Sequence, residues 1–165
     1  MNSVLRWCMN TGLVCLVLNL SACASRPTPT LSVDEQFWSG RLALSIASEP
    51  PQSLSGGFEL KSQALRGELK LLSPLGNQLA QLDWAPGLAR LDQGGKIYQQ
   101  PSLDALLIQL TGSALPVLAL IDWLQAKPVQ VKGWVADLTQ LANGRLHIQS
   151  EGQQPAVQLR LVLEP

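Results

Sequence analysis

The side chains best suited to nucleophilic or proton-transfer chemistry near neutral pH are three thiols, Cys8, Cys15 and Cys23, and a single imidazole, His147. His147 sits between Leu146 and Ile148 in an alternating pattern, which places it on the polar side of a strand and reads as a solvated residue rather than a catalytic base. A serine nucleophile would have only that one imidazole to activate it, and no Gly-x-Ser-x-Gly elbow is present. No cysteine and histidine cluster has metal-ligand spacing, and Gly94-Gly95-Lys96 lacks the rest of a phosphate-cradling loop. An enzyme is therefore not expected, and neither is a metal or a dissociable cofactor. The thiol with distinctive neighbours is Cys23, preceded by Leu20, Ser21 and Ala22. Small residues there let the chain lie extended in a peptidase, and a thiolate is a nucleophile able to accept an acyl-bearing group.

The segment ahead of Cys23 fits that chemistry. Arg6 supplies a basic start, Leu13 to Leu20 an apolar run, and Ser21 and Ala22 small residues, which together read as a secretion signal over 1–22. A membrane-spanning helix needs about 20 apolar residues, so a permanent anchor of that kind is the weaker reading. Leu20-Ser21-Ala22-Cys23 resembles the lipobox of bacterial lipoproteins, with a chance cysteine behind an ordinary signal as the alternative. The resemblance implies an S-diacylglycerol and an N-acyl group on Cys23. Cleavage before Cys23 would discard Cys8 and Cys15, leaving a domain with no internal disulfide to stabilise it. Ala24 stands where an aspartate commonly retains such proteins in the inner membrane, so a periplasm-facing, lipid-anchored place in the outer membrane is expected. Ala24-Ser25-Arg26-Pro27-Thr28-Pro29-Thr30 has little apolar area to bury and reads as a polar tether. The expected organisation is a signal over 1–22, a lipidated and flexible N-terminus over 23–31, and one domain over 32–165.

That domain must position whatever else the chain does. The chain has 165 residues, 46% hydrophobic and 15% charged, with twelve basic and twelve acidic side chains interspersed. This supports one cored domain and disfavours a nucleic-acid partner. From Phe37 the apolar period is two: Leu42, Leu44 and Ile46 share a face, then Leu54, Gly56, Phe58 and Leu60, with a break at Glu49-Pro50-Pro51-Gln52 between them. A turn at Ser62 to Leu65 leads to Gly67, Leu69 and Leu71, and Ser73 to Asn77 interrupts. Ala80, Leu82 and Trp84 follow, then a stop at Ala85-Pro86-Gly87, Ala89 and Leu91, and a turn at Gly94-Gly95. This is an antiparallel meander, with Gly56, Gly57 and Gly67 marking sharp curvature.

The period then changes to that of a helix. Ser102 is a plausible N-cap for Leu103, Leu106, Leu107 and Leu110, ended by Gly112. Pro116 suits the first position of a second helix carrying Val117, Leu120, Ile121 and Leu124, which stops before Pro128. Strands return over Gly133–Thr139, Arg145–Ser150 and Ala156–Leu163. Strands, two apolar helices and strands again predict an α+β fold with an antiparallel sheet curved over the helices. The helix leucines, with Trp84, Trp123 and Trp134, serve equally as packed core or as the wall of a hollow.

Two segments make the chain similar to a known family. Ser73-Pro74-Leu75-Gly76-Asn77, between two strand patterns, resembles a loop of the LolB family of lipoprotein-localisation proteins. Leu110-Thr111-Gly112 through Leu115-Pro116-Val117 to Asp122-Trp123-Leu124 and Pro128 resembles that family's helical segment. Gly40-Arg41, Phe58 and the terminal alternating leucines stand in the expected order, so with Cys23 the resemblance covers nearly all of the chain. Departures are a short tether, Leu60 where the family often has tryptophan, Ala126 near where the family usually has a helix-ending glycine, and a chain that is compact for the family. The resemblance implies an incomplete, unclosed antiparallel β-barrel with apolar helices on its concave face. It further implies a monomeric outer-membrane receptor that accepts lipoproteins from the carrier LolA through their acyl chains and inserts them into the inner leaflet of that membrane. The candidate cavity lining is then Leu42, Leu44, Phe58, Leu69, Leu71, Trp84, Leu106, Leu110, Leu120, Ile121, Leu124 and Trp134. Pro74, Leu75 and Gly76 would form a membrane-targeting loop, although composition alone favours Leu75 folded onto the core. A lipoprotein of the same shape that scaffolds an envelope assembly is the alternative, as is, more remotely, a lipid-modifying enzyme using His147.

Overall fold

The computed structural model describes residues 35–165. The signal over 1–22, Cys23, the tether over 23–31 and positions 32–34 of the expected domain lie outside the described residues.

Alternating apolar residues produce the strands at the expected places. They are β1 (Gln36–Ile46), β2 (Gln52–Gln63), β3 (Arg66–Leu72), β4 (Gln78–Ala85), β5 (Leu88–Gln93), β6 (Lys96–Gln100), β7 (Trp134–Asp137), β8 (Arg145–Ser150) and β9 (Val157–Leu163). The helices are α1 (Leu103–Thr111) and α2 (Val117–Leu124). All strands join one antiparallel sheet in the order β6-β5-β4-β3-β2-β1-β9-β8-β7, whose outer strands β6 and β7 do not pair, so the sheet is curved but unclosed. The α+β class and the antiparallel meander agree with the sequence reading.

Local differences have simple causes. The β2–β3 hairpin is tighter than its composition suggests: Ser62 and Gln63 are paired with Gly67 and Arg66, and only Ala64 and Leu65 turn. β6, which has a single large aliphatic in Ile97, closes the meander as an edge strand against β5. β7 pairs over four residues rather than seven, because Gly133 bends with a positive φ and the Asp137 carboxylate accepts from the backbone of Thr139.

Capping sets the helix limits. Ser102 Oγ accepts from the Ala105 N–H at 3.1 Å, and Gly112, left-handed at φ +72°, donates its N–H to the Ile108 carbonyl. Pro116 stands one position earlier than expected, as the N-cap of α2 rather than its first residue. Leu106, Leu107, Leu120, Ile121, Trp123 and Leu124 join Leu42, Phe58, Leu60, Trp84 and Leu161 in one buried apolar cluster. No helix among the described residues is long and apolar enough to cross a membrane.

Candidate functional site

The antiparallel register defines two ends of the sheet. Toward one end lie the 47–51 connection, the Gly94-Gly95 turn and the 151–156 connection, since Ile46 faces both Gln52 and Val157, and Ala80 faces Gln93. The loop over 73–77 leaves β3 in the same direction from Leu72, which faces Gly57, and borders a cleft with Phe37, Arg41 and Glu59. The other end holds the Ala64-Leu65 turn, the Pro86-Gly87 turn, and the Gly67–Trp84 pair. Helix α1 runs toward the first end. There Gly112 meets Pro155, and Ser113 Oγ donates to Gln153 Oε1 at 3.5 Å. Helix α2 returns, and Gln125 Nε2 donates to Gln36 Oε1 at the second end.

A cavity of about 410 Å³ occupies the half of the domain nearer the first end. Ligand sites run from roughly 300 to 1,000 Å³, so the hollow is large enough for a small apolar molecule. Among the expected residues Leu42, Leu44, Phe58, Leu69, Leu71, Leu110, Leu120 and Trp134 are in its wall. Ile46, Leu54, Leu60, Ala80, Leu82, Leu91, Leu107, Leu115, Val117, Ile148, Leu159 and Leu161 also line it. The same period-two and helical patterns carried these residues, but nothing local distinguished the half of each element that borders empty space.

Trp84, Leu106, Ile121 and Leu124 do not line the cavity; they are buried in the packed half. Trp84 lies over Gly67, where an added Cβ would collide with the indole, so the missing side chain is what admits the ring. Leu106, fully buried, adjoins the wall residue Leu107 on α1 but occupies a different face of the helix. Ile121 and Leu124 belong to the half of α2 that points away from the first end. Trp123 packs with them and donates Nε1–H to the Val129 carbonyl at 2.8 Å.

The loop over 73–77 is a folded turn rather than a slack connection. The Ser73 N–H donates to the Asn77 carbonyl at 2.8 Å and the Gly76 N–H to the Ser73 carbonyl at 2.9 Å. Ser73 Oγ accepts from the Leu75 and Asn77 amides at 3.3 and 3.1 Å. Gly76 takes φ +82°, a left-handed conformation that glycine adopts at little cost. With its backbone committed inward, the turn holds the Leu75 side chain outward at 89% exposure, rather than folded on the core as composition alone suggested.

His147 is half-buried rather than solvated, and its Nε2 is enclosed without a hydrogen-bond partner among the described residues. It faces Asp137 and Arg160 on the neighbouring strands. The exposed Asp137 carboxyl is held below its usual range, chiefly by the Thr139 hydroxyl donating at 2.6 Å, then by the Thr139 amide at 2.9 Å, with a smaller contribution from His147. These groups lie outside the cavity wall.

Comparison with known proteins agrees with this architecture. The family model described as outer membrane lipoprotein LolB matches residues 36–160. The chain is 34% identical over 113 residues to a protein of Bordetella petrii named outer-membrane lipoprotein LolB, covering 66% of this chain and 57% of the relative. A protein of the same name from Cupriavidus metallidurans is 34% identical over 144 residues, covering 81% and 69%. One from Bordetella pertussis is 32% identical over 130 residues, covering 76% and 65%. The matched part thus spans between about half and two thirds of these relatives' lengths. By the match over nearly all of its sheet and both helices, the chain belongs to the LolB family.

Proposed function

We propose that this protein is a periplasm-facing outer-membrane lipoprotein, anchored through acyl groups on Cys23. On this reading it takes lipoproteins from a LolA-type carrier into its cavity and delivers them to the inner leaflet of the outer membrane, without catalysis and as a monomer. The observation that carries the reading is an apolar hollow whose end is shared with a fixed, outward-held leucine. The helices would lie against the concave face of the sheet, so that alternate strand residues and the greasy helix stripes together shield an acyl chain. The relatives, named outer-membrane lipoprotein LolB, support the assignment.

Size and energy are consistent with one chain in the hollow. At roughly 30 Å³ per water-sized group, the cavity holds about a dozen methylenes. Each methylene transferred from water is worth about 0.8 kcal/mol, so such a chain gains on the order of 10 kcal/mol. Delivery then runs downhill by differential affinity, from carrier to this domain to bilayer. A filled interior would have suited a purely structural lipoprotein better.

Pro74, Leu75 and Gly76 supply the membrane contact. Burying a leucine gains about 1.5–3 kcal/mol, roughly ten- to hundredfold in residence at the bilayer. Leu75→Glu in the full lipidated chain, reconstituted into liposomes, is expected to leave uptake of acylated cargo from the loaded carrier within about twofold of wild type. Transfer of that cargo into the bilayer should fall about tenfold or more. Unchanged transfer would remove the loop from the mechanism, and absence of cargo uptake by wild type would overturn the receptor reading.

A further inference from the structure

Two inward rows of the sheet end in glutamine where the cavity reaches the surface. In β2 the row Leu54, Gly56, Phe58 and Leu60 begins with Gln52, which faces Ile46 of β1. In β5 the row Ala89 and Leu91 ends with Gln93, which faces Ala80 of β4. Both partners line the cavity, so both glutamines occupy inward positions, and both contribute to its wall while remaining exposed. Among the described residues neither glutamine side chain has a hydrogen-bond partner. The other polar wall residues differ: the Thr111 hydroxyl donates to the Leu107 and Ser113 carbonyls, and Ser53 belongs to the outward row of β2. The two free amides stand at the same end of the sheet as Leu75.

We infer that Gln52 and Gln93 form a polar rim that recognises the ester and amide groups at the head of an acylated cysteine. The inference rests on the receptor reading above and adds to it a binding site for the head of the lipid. Each carboxamide offers two N–H donors and one carbonyl acceptor. The glyceryl ester carbonyls accept hydrogen bonds, and the amide N–H of an N-acylated cysteine donates one. The rim therefore matches both kinds of group, which a hydrocarbon wall cannot. It fixes the cargo's direction: acyl chain toward the packed half, polypeptide outside, and lipid head beside the loop that meets the bilayer.

The test uses the full chain carrying Gln52→Met and Gln93→Met, which keep side-chain length and remove the amides. Binding of a synthetic N-acyl-S-diacylglyceryl-cysteinyl peptide is compared with binding of diphenylhexatriene, a hydrocarbon without polar groups. Loss of two hydrogen bonds is expected to weaken the lipopeptide about tenfold while the hydrocarbon stays within about twofold. Equal affinity of variant and wild type for the lipopeptide would overturn the rim, as would parallel loss of both probes. Failure of the wild-type chain to bind either probe would instead sink the receptor reading on which the rim depends.

Discussion

The two halves of this domain are built from the same alternating strands and the same helices, yet one is hollow and the other solid. At the loop end the small Ala80 stands in an inward row, and α1 and α2 present Leu107, Leu110, Val117 and Leu120 across open space. At the opposite end, Trp84 fills the place left by Gly67, and Trp123, Leu106, Ile121 and Leu124 close the remainder. Hydrophobic burial alone does not decide between these outcomes. Side-chain volume, summed across facing elements, does.

The comparison breaks most readily at the leucines of α1. Leu106 is fully buried among packed neighbours, so Leu106→Ala removes transfer energy and leaves a void, costing about 2–5 kcal/mol. Leu110 borders space already empty, so Leu110→Ala should cost less than about 1.5 kcal/mol and instead lower affinity for hydrophobic ligand. Urea unfolding of the two variants reads the difference directly. Equal losses would mean that the wall and the packed half are energetically one core.

The opposite substitution sharpens the same point. Ala80→Phe adds volume into the cavity and should change stability by less than about 1 kcal/mol while excluding diphenylhexatriene. Ala89, fully buried beside Trp84 in the sheet register, has no such space, and Ala89→Phe should cost about 1–3 kcal/mol or more. Thermal unfolding with and without the hydrocarbon separates them. An Ala80→Phe variant that still binds ligand would place the hydrocarbon elsewhere.

What was legible in the sequence follows from this division. Period and capping are local properties, so β8 was bounded correctly by Arg145 and Ser150, and α1 by Ser102 and Gly112. The exposure of Leu75 was opposed by composition and suggested by the resemblance alone, because the hydrogen bonds of Ser73 that fix the turn depend on its folded geometry. Trp84, Leu106, Ile121 and Leu124 share the pattern of the residues that line the cavity; height along the sheet sets Trp84 apart, whereas Leu106 and Ile121 adjoin the wall residues Leu107 and Leu120 and differ from them in the face of the helix they occupy. Height depends on register between strands distant in sequence, which single-strand periodicity does not encode. The partial burial of His147 escaped for the same reason, since alternation assigns a face but not what covers it.

A smaller effect is expected at the packed end, where α2 stops. The Ala126 N–H donates to the Trp123 carbonyl and the Lys127 N–H to the Asp122 carbonyl, each at 2.9 Å, the paired bonds of a Schellman ending. This ending needs a left-handed residue, and Ala126 adopts φ +59°, a conformation that costs a Cβ-bearing residue about 1–2 kcal/mol. Glycine relieves that strain but gains freedom in the unfolded chain, so Ala126→Gly should stabilise by about 0.5–1 kcal/mol net. Because the strained turn lies at the end away from the cavity, ligand affinity should not change. Denaturant midpoints together with a hydrocarbon titration measure both quantities. A gain in stability accompanied by altered binding would show that the packed end and the hollow move together rather than independently.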